Sequence, residues 1–271
     1  MTVMPPDYHI HTDFSCDCNV PMGAMCRAAL AAGLSEIGFS EHLDLVPYEP
    51  QRDFFRAEAW WAELNRCRET FNGALQIKAG IELGEPHLFQ SEIQTLLRAY
   101  PWDYTLASLH WVGAEMIFHR SYFDRSELDA YRMYFGELLR MVSEAEFDIL
   151  AHMDIPKRIG FEEYGHYDAT FFEAEIRPVL RTLVRRNIAL EVNTGLLRRS
   201  VQETCPDLPI LRWFWEEGGR LVTIGSDAHH TQDIGAGMAP AVKKIREAGF
   251  EEIALFERRS PRPTPILVET S

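Results

Sequence analysis

Seven short apolar runs, each followed by a longer amphipathic stretch, constrain this 271-residue chain more than any other feature. The runs are residues 8–11, 36–40, 76–82, 104–109, 149–152, 188–193 and 221–226. They have the length and the near-continuous apolar character of parallel strands buried on both faces. The stretches 21–32, 55–71, 88–99, 127–144, 169–186, 208–217 and 239–248 predict helices. Pro21 opens the first of them after Asn19, and Gly33 follows its end, which are start and stop signals. In 169–186, Phe172, Ile176, Val179, Leu180 and Leu183 recur at helical spacing. A βα series implies an α/β fold with a parallel sheet, and seven units predict a closed or nearly closed, TIM-like barrel. An open doubly wound sheet is the rival, but it gives no reason for polar residues to gather at every strand end. No repeat or Gly/Ser linker divides the chain, so residues 1–271 are expected to form one domain. The Pro-rich stretch 260–265 reads as a tail crossing the surface.

The C-terminal ends of the runs hold the chemistry, on the face where such barrels place active sites. The first run ends in His9-Ile10-His11. Alternation along a strand turns both imidazoles to one side, about 7 Å apart. Asp17 follows in the loop. The next ends are Ser40-Glu41-His42, Gly80-Ile81-Glu82, Ser108-Leu109-His110, His152-Met153-Asp154 and Glu191-Val192-Asn193. The last is Ser226-Asp227-Ala228-His229-His230, where Asp227 and His229 repeat the spacing of His9 and His11. Taken singly, each is as readily a hydrogen-bonded or solvated side chain. Taken together they are not scattered: six of the ten His sit at the ends of five runs, and the predicted helices hold none. A carboxylate such as Glu82, ending an apolar strand, is costly to bury unless it is paired or binds a cation. The candidate metal ligands are therefore His9, His11, Asp17, His42, Glu82, His110, His152, Asp227 and His229. These N and O donors exceed the roughly four that one zinc ion takes, and suit two or three divalent ions bridged by carboxylates. With no thiolate needed, Zn, Fe or Mn would fit.

The ordered set H-x-H, an Asp eight residues after the first His, then E-H, G-I-E, S-x-H, H-x-D and S-D-A-H resembles the polymerase and histidinol phosphatase (PHP) superfamily. Within it, the chain length, Asp17 in place of His, and Glu191-Val192-Asn193-Thr194-Gly195 resemble the monofunctional histidinol-phosphate phosphatases of histidine biosynthesis. The resemblance implies a distorted (β/α)7 barrel holding three metal ions. His9, His11, Glu82 and Asp227 would hold the first, and Glu82 would bridge to a second held by His110 and His152. Asp17, His42 and His229 would hold the third, made harder and more anionic by Asp17. The implied reaction is hydrolysis of L-histidinol phosphate to L-histidinol and phosphate by a hydroxide bridging the first two metals. Asp227, His229 and His230 are the candidate catalytic residues. The leaving alkoxide would take its proton from Asp227, from His230 or from water on the third metal.

A phosphate monoester also needs cationic partners. Lys157-Arg158 follow the His152 motif and Arg198-Arg199 follow Asn193. Arg158 and Arg198 are the preferred pair, because Arg grips phosphate through parallel N–H bonds. Lys157, Asn193 and His42 are further substrate-binding candidates. Glu115, beside Trp111, Phe118 and His119, is the candidate wall for the amine and imidazole of histidinol. The net charge of −14 speaks against coating nucleic acid or adhering to anionic membranes, and favours a small-molecule partner. Three rivals stand beside this reading. A PHP phosphoesterase of another small monoester, a nucleotide or phosphotyrosine is the first. An amidohydrolase also opens with H-x-H, but commonly adds a bridging Lys that is missing from these strand ends. A non-catalytic PHP module would show degraded ligand motifs. Residues 1–7 lack a signal-peptide pattern, and no run approaches the roughly 20 apolar residues of a membrane span. Five irregularly spaced Cys fit no disulfide framework, so reduced thiols and a cytoplasmic location are expected. His87 and His166 read as structural or solvated, and Trp60-Trp61 as core or oligomer interface; the oligomeric state itself is left open.

Overall fold

Seven strands pair in parallel and in chain order around the computed structural model, which describes residues 4–266. Residues 1–3, at the start of the segment read for a targeting pattern, lie outside the described residues. The ring runs β1 (Asp7–Ile10), β2 (Glu36–Leu43), β3 (Gln76–Gly84), β4 (Leu106–Ser108), β7 (Ile149–Leu150), β8 (Ala189–Asn193) and β9 (Val222–Gly225). Two-residue strands β5 (Trp111–Val112) and β6 (Glu115–Met116) form a separate hairpin after β4. The ring is nearly closed: one parallel bridge joins Ile10 to Ala228, with His11 N donating to Ala228 O at 3.0 Å. Asp7 clasps the same seam, its Oδ1 accepting from Ser226 N (2.8 Å) and its Oδ2 from Gly235 N (3.0 Å). This is the α/β barrel that the strand series predicts.

Helices α1 (Met22–Ala31), α2 (Ala57–Thr70), α3 (Gln90–Ala99), α4 (Glu127–Glu144), α5 (Lys157–Tyr164), α6 (Glu173–Arg186), α7 (Leu208–Glu216) and α8 (Met238–Glu247) accompany the strands. Their starts follow local chemistry. Ser126 caps α4 by accepting from Asp129 N, and Asp207 caps α7 by accepting from Ile210 N. The helix expected over 169–186 begins as a tighter 3-10 turn over Ala169–Phe172 before α6. Helix α5 was absent from the sequence expectation. Trp60 and Trp61 on α2 belong to the core, where Trp60 stacks on Trp102 with ring centroids 5.2 Å apart. All five Cys are free. Among the described residues no helix is long and apolar enough to cross a membrane.

The N-terminal end of the barrel is plugged. The register of β1 against β2 slips between Asp7 and Ile10, a bulge that lets Tyr8 join the plug while His9 turns to the opposite end. Tyr8 stacks on Tyr104 at 4.9 Å, and Tyr104 Oη donates to Tyr8 O at 2.7 Å. Gly38 and Gly80 make room for that ring; a Cβ at either would overlap Tyr104. Below lies an antiparallel hairpin, β10 (Glu252–Glu257) with β11 (Ser260–Pro265), which sets Ala254 and Phe256 against Tyr8 and Tyr104. Residues 260–265 are thus an edge strand, which corrects the expectation of a loose tail. Pro261, Pro263 and Pro265 fall at alternate positions, so the residues between them keep the N–H groups that pairing needs.

Candidate metal centre

The opposite end of the barrel collects the strand-end residues. Glu82, 1% exposed at the end of β3, lies at the centre. Its Oε2 is 2.9 Å from His42 Nδ1, 3.2 Å from His9 Nε2 and 3.5 Å from His11 Nε2. Its Oε1 faces the other way, 3.0 Å from His152 Nε2 and 3.5 Å from His110 Nε2, and accepts from the Ser108 hydroxyl. One carboxylate therefore spans two groups of imidazoles. Asp227 Oδ1 joins the first group, 3.4 Å from His11 Nε2 and 3.8 Å from His9 Nε2. Toward the mouth, Asp17 Oδ2 lies 3.0 Å from His229 Nε2 and 3.5 Å from His42 Nε2. All nine expected ligands fall in this one cluster.

Among the described residues five sets have donor atoms mutually within 4.8 Å, four of them built from the expected ligands alone: His9 with His11 and Glu82; Glu82 with His110 and His152; His9 with His152 and Asp227; and His11 with Asp17, His42 and His229. Asp44 completes the fifth set with His42 and His110, although no strand-end motif marks it in the sequence. The donor chemistry fits divalent metal ions. His11 Nε2 is buried without a hydrogen-bond partner, yet it points between two carboxylate oxygens. A buried imidazole lone pair left in that position is what a metal ligand requires.

The electrostatics carry the same demand for positive charge. Burial works against a charged His9, but Glu191, Glu82 and Asp227 together outweigh it and hold the imidazole well above its ordinary pKa. His110 is carried up to about 10 against its burial by Asp44 and Glu82. His11 goes the other way, down to about 3, because burial is reinforced by His229 and His42. Burial opposes ionisation of Glu82, but His42 and His9 keep it well below the usual carboxylate range. Metal ions would meet that demand and would also take up the lone pair of the neutral His11.

Behind the ligands stand acceptors that aim the rings. His11 Nδ1 donates to Ser15 Oγ at 2.9 Å, and the Ser15 hydroxyl donates to Glu41 Oε2 at 2.6 Å. Glu41, fully buried, also accepts from Thr12 N, Thr12 Oγ1 and Trp60 Nε1. Glu85 Oε1 accepts from the backbone of both His110 and Trp111, which fixes the turn after β4. Two of the candidate ligands sit in left-handed backbone, His152 at φ +22° and Asp227 at φ +55°, a strain that clusters at functional sites.

The substrate-binding candidates divide. Arg158 is half-buried over the Phe118 ring at 5.3 Å; burial and the neighbouring Arg199 lower its pKa, offset only in part by Asp227, Glu162 and Asp17. Arg198 donates to Ser226 O at 2.7 Å, immediately before Asp227. Asn193 Nδ2 lies 3.5 Å from Asp227 Oδ2 and 3.1 Å from Glu191 Oε2. Lys157 is a correction: it is wholly buried, with its ammonium 2.6 Å from Asp154 Oδ2 and 2.7 Å from Thr204 O, so it cannot reach a substrate. Glu115 is exposed and held by Arg125 rather than turned to the cluster. His230 is exposed beside His229. His87 is a buried partner of Glu137 at 2.7 Å, and His166 is exposed, 3.2 Å from Glu127.

The PHP domain family model matches residues 7–195. The histidinol-phosphatase of Lactococcus lactis subsp. lactis is 32% identical over 260 residues, covering 92% of this chain and 93% of that protein. A probable histidinol-phosphatase of Clostridium acetobutylicum is 29% identical, covering 93% of this chain and 97% of its own length. Among solved structures, histidinol phosphate phosphatase from Lactococcus lactis, complexed with Zn, L-histidinol and phosphate, superposes with a TM-score of 0.83. It is 28% identical and covers 96% of this chain and 100% of its own. The putative histidinol phosphatase of Listeria monocytogenes shares the fold, with a TM-score of 0.69 at 20% identity over 87% of this chain and 99% of its own. The motif order, the barrel and these matches agree, and the chain belongs to the PHP domain family.

Proposed function

We propose that this chain is a metal-dependent histidinol-phosphatase, acting as one domain in the cytoplasm on L-histidinol phosphate, with no nucleic-acid partner. The observation that carries the phosphatase reading is Glu82, whose two oxygens face two separate groups of imidazoles. The substrate assignment is supported by the likeness to relatives of that name along nearly the whole chain.

Three divalent ions, of Zn, Fe or Mn, would be held by His9, His11, Glu82 and Asp227; by Glu82, His110 and His152; and by Asp17, His42 and His229. When bound, such ions supply Lewis acidity toward phosphoryl oxygens and bring the pKa of water toward neutrality. The chain's own residues do the rest. Glu82 holds the two groups of imidazoles in fixed register. Arg158 and Arg198 grip the phosphate from the mouth, where their charge offsets the anion. Water adds to phosphorus as the P–O bond to the alcohol breaks, giving the amino alcohol and inorganic phosphate. The attacking water gives up one proton and the alkoxide takes one, with His230 or solvent beside Asp227 as the carrier, so that monoester and water become alcohol and phosphate.

The test is metal analysis of the purified protein, then kinetics on histidinol phosphate beside a panel of monoesters and one diester. Clear preference for histidinol phosphate in kcat/KM is expected. Equal values across the monoesters would sink the substrate assignment and leave the phosphatase class standing.

A further inference from the structure

Glu191 belongs to none of the sets above, yet its carboxylate touches two of their members, His9 and His152. It ends β8 at 1% exposure. Its Oε1 lies 2.6 Å from His9 Nδ1. Its Oε2 accepts from His152 N at 2.9 Å and from Asn193 Nδ2 at 3.1 Å. Asn193 in turn reaches Asp227 Oδ2 at 3.5 Å. Room for the carboxylate is made by Gly225 on neighbouring β9, where a Cβ would overlap both Glu191 Oε1 and the Cβ of His9.

We propose that Glu191 is a positioning residue that fixes His9 and the His152 turn with one carboxylate, and so sets the distance between the two imidazole groups that Glu82 spans. The proposal rests on the metal-dependent reading above. An imidazole that donates from Nδ1 presents its lone pair at Nε2, and His9 Nε2 is the atom facing Glu82 and Asp227. His152 is held in a backbone conformation that few side chains adopt, and its N–H bond to Glu191 keeps the turn there. The chemistry is selective for a carboxylate. His9 Nδ1, His152 N and Asn193 Nδ2 are all donors converging on two oxygens. Glutamine has the same shape but one acceptor oxygen, so its NH2 would face either His9 or the other two donors. A buried donor left facing a donor is costly.

The test uses zinc and the full-length chain. In zinc-loaded wild type, imidazole 15N spectra should show His9 protonated at Nδ1 and shifted by zinc at Nε2. Glu191→Gln should bind zinc at least tenfold more weakly by chelator competition and retain fewer ions after gel filtration. The far-UV circular dichroism of its metal-free form should match wild type. Zinc on His9 Nδ1 in wild type, or unchanged affinity and stoichiometry in Glu191→Gln, overturns the proposal. If the variant does not fold, the wild-type spectrum alone decides. Wild type that binds zinc but does not prefer histidinol phosphate would refute the substrate assignment and leave this test intact. A wild type that binds no zinc overturns both.

Discussion

The ammonium of Lys157 lies 2.6 Å from Oδ2 of Asp154, and neither side chain is exposed to solvent. Asp154 Oδ1 also accepts from Cys205 Sγ at 2.7 Å, so the carboxylate ties the start of α5 to the loop before α7. Asp154 follows His152 by two residues and Lys157 follows it by five.

Removing one member of such a pair strands the other charge away from water. Lys157→Ala should lower the unfolding free energy by about 3–5 kcal/mol, read from urea denaturation of the metal-free protein. Replacing both members with apolar residues, as in Asp154→Leu with Lys157→Met, should recover much of the loss. A Lys157→Ala protein as stable as wild type would contradict the buried pair.

At the centre itself, Asp227→Ala and His110→Ala should each abolish turnover and lose metal, because each removes a donor from a different side of Glu82. Elemental analysis and steady-state kinetics check this together. Full activity with full metal content in either variant would overturn the site.

The proposed phosphate grip separates Arg158 and Arg198 from Lys157. Arg158→Ala and Arg198→Ala should each weaken competitive inhibition by inorganic phosphate about tenfold, equal to roughly 1.4 kcal/mol. Inhibition unaltered in both variants would remove these arginines from the substrate's path.

One pH effect lies outside the metal cluster. Burial raises the Asp207 carboxyl from 3.8 to about 6, although Lys157 and the N–H of Ile210 pull it down. The folded chain holds this proton more tightly than the unfolded one. The stabilisation is therefore complete below about pH 3.8 and is lost as pH climbs through about 6. Asp207→Asn keeps the cap and cannot ionise. Wild type should lose stability relative to this variant between pH 4 and 6.5, followed by urea denaturation. A constant difference across that range would exclude the effect.

What the sequence made legible was local. Strand alternation and strand-end position brought His9, His11, Glu82 and Asp227 into view, because those properties belong to a few neighbouring residues. Lys157 and Arg158 looked equivalent as neighbours. Helix α5 begins there, and each helical step turns the next side chain by about 100°, sending Lys157 inward and Arg158 over the Phe118 ring. Short α5 lacks the long apolar stripe that marks α6. Glu191 showed only as a strand-end carboxylate, because its partner His9 is 182 residues away. Residues 260–265 read as a tail because their prolines look hostile to any strand, and the alternate spacing that rescues them matters only against β10.

The stacked rings of Tyr8 and Tyr104, with the hairpin of β10 and β11 beneath them, leave the barrel without a back exit. Whatever reaches Glu82 must retreat by the route it entered. On the proposed reaction, both products would leave by the mouth that admitted the substrate. The plug thus gives the barrel one door for entry and departure alike.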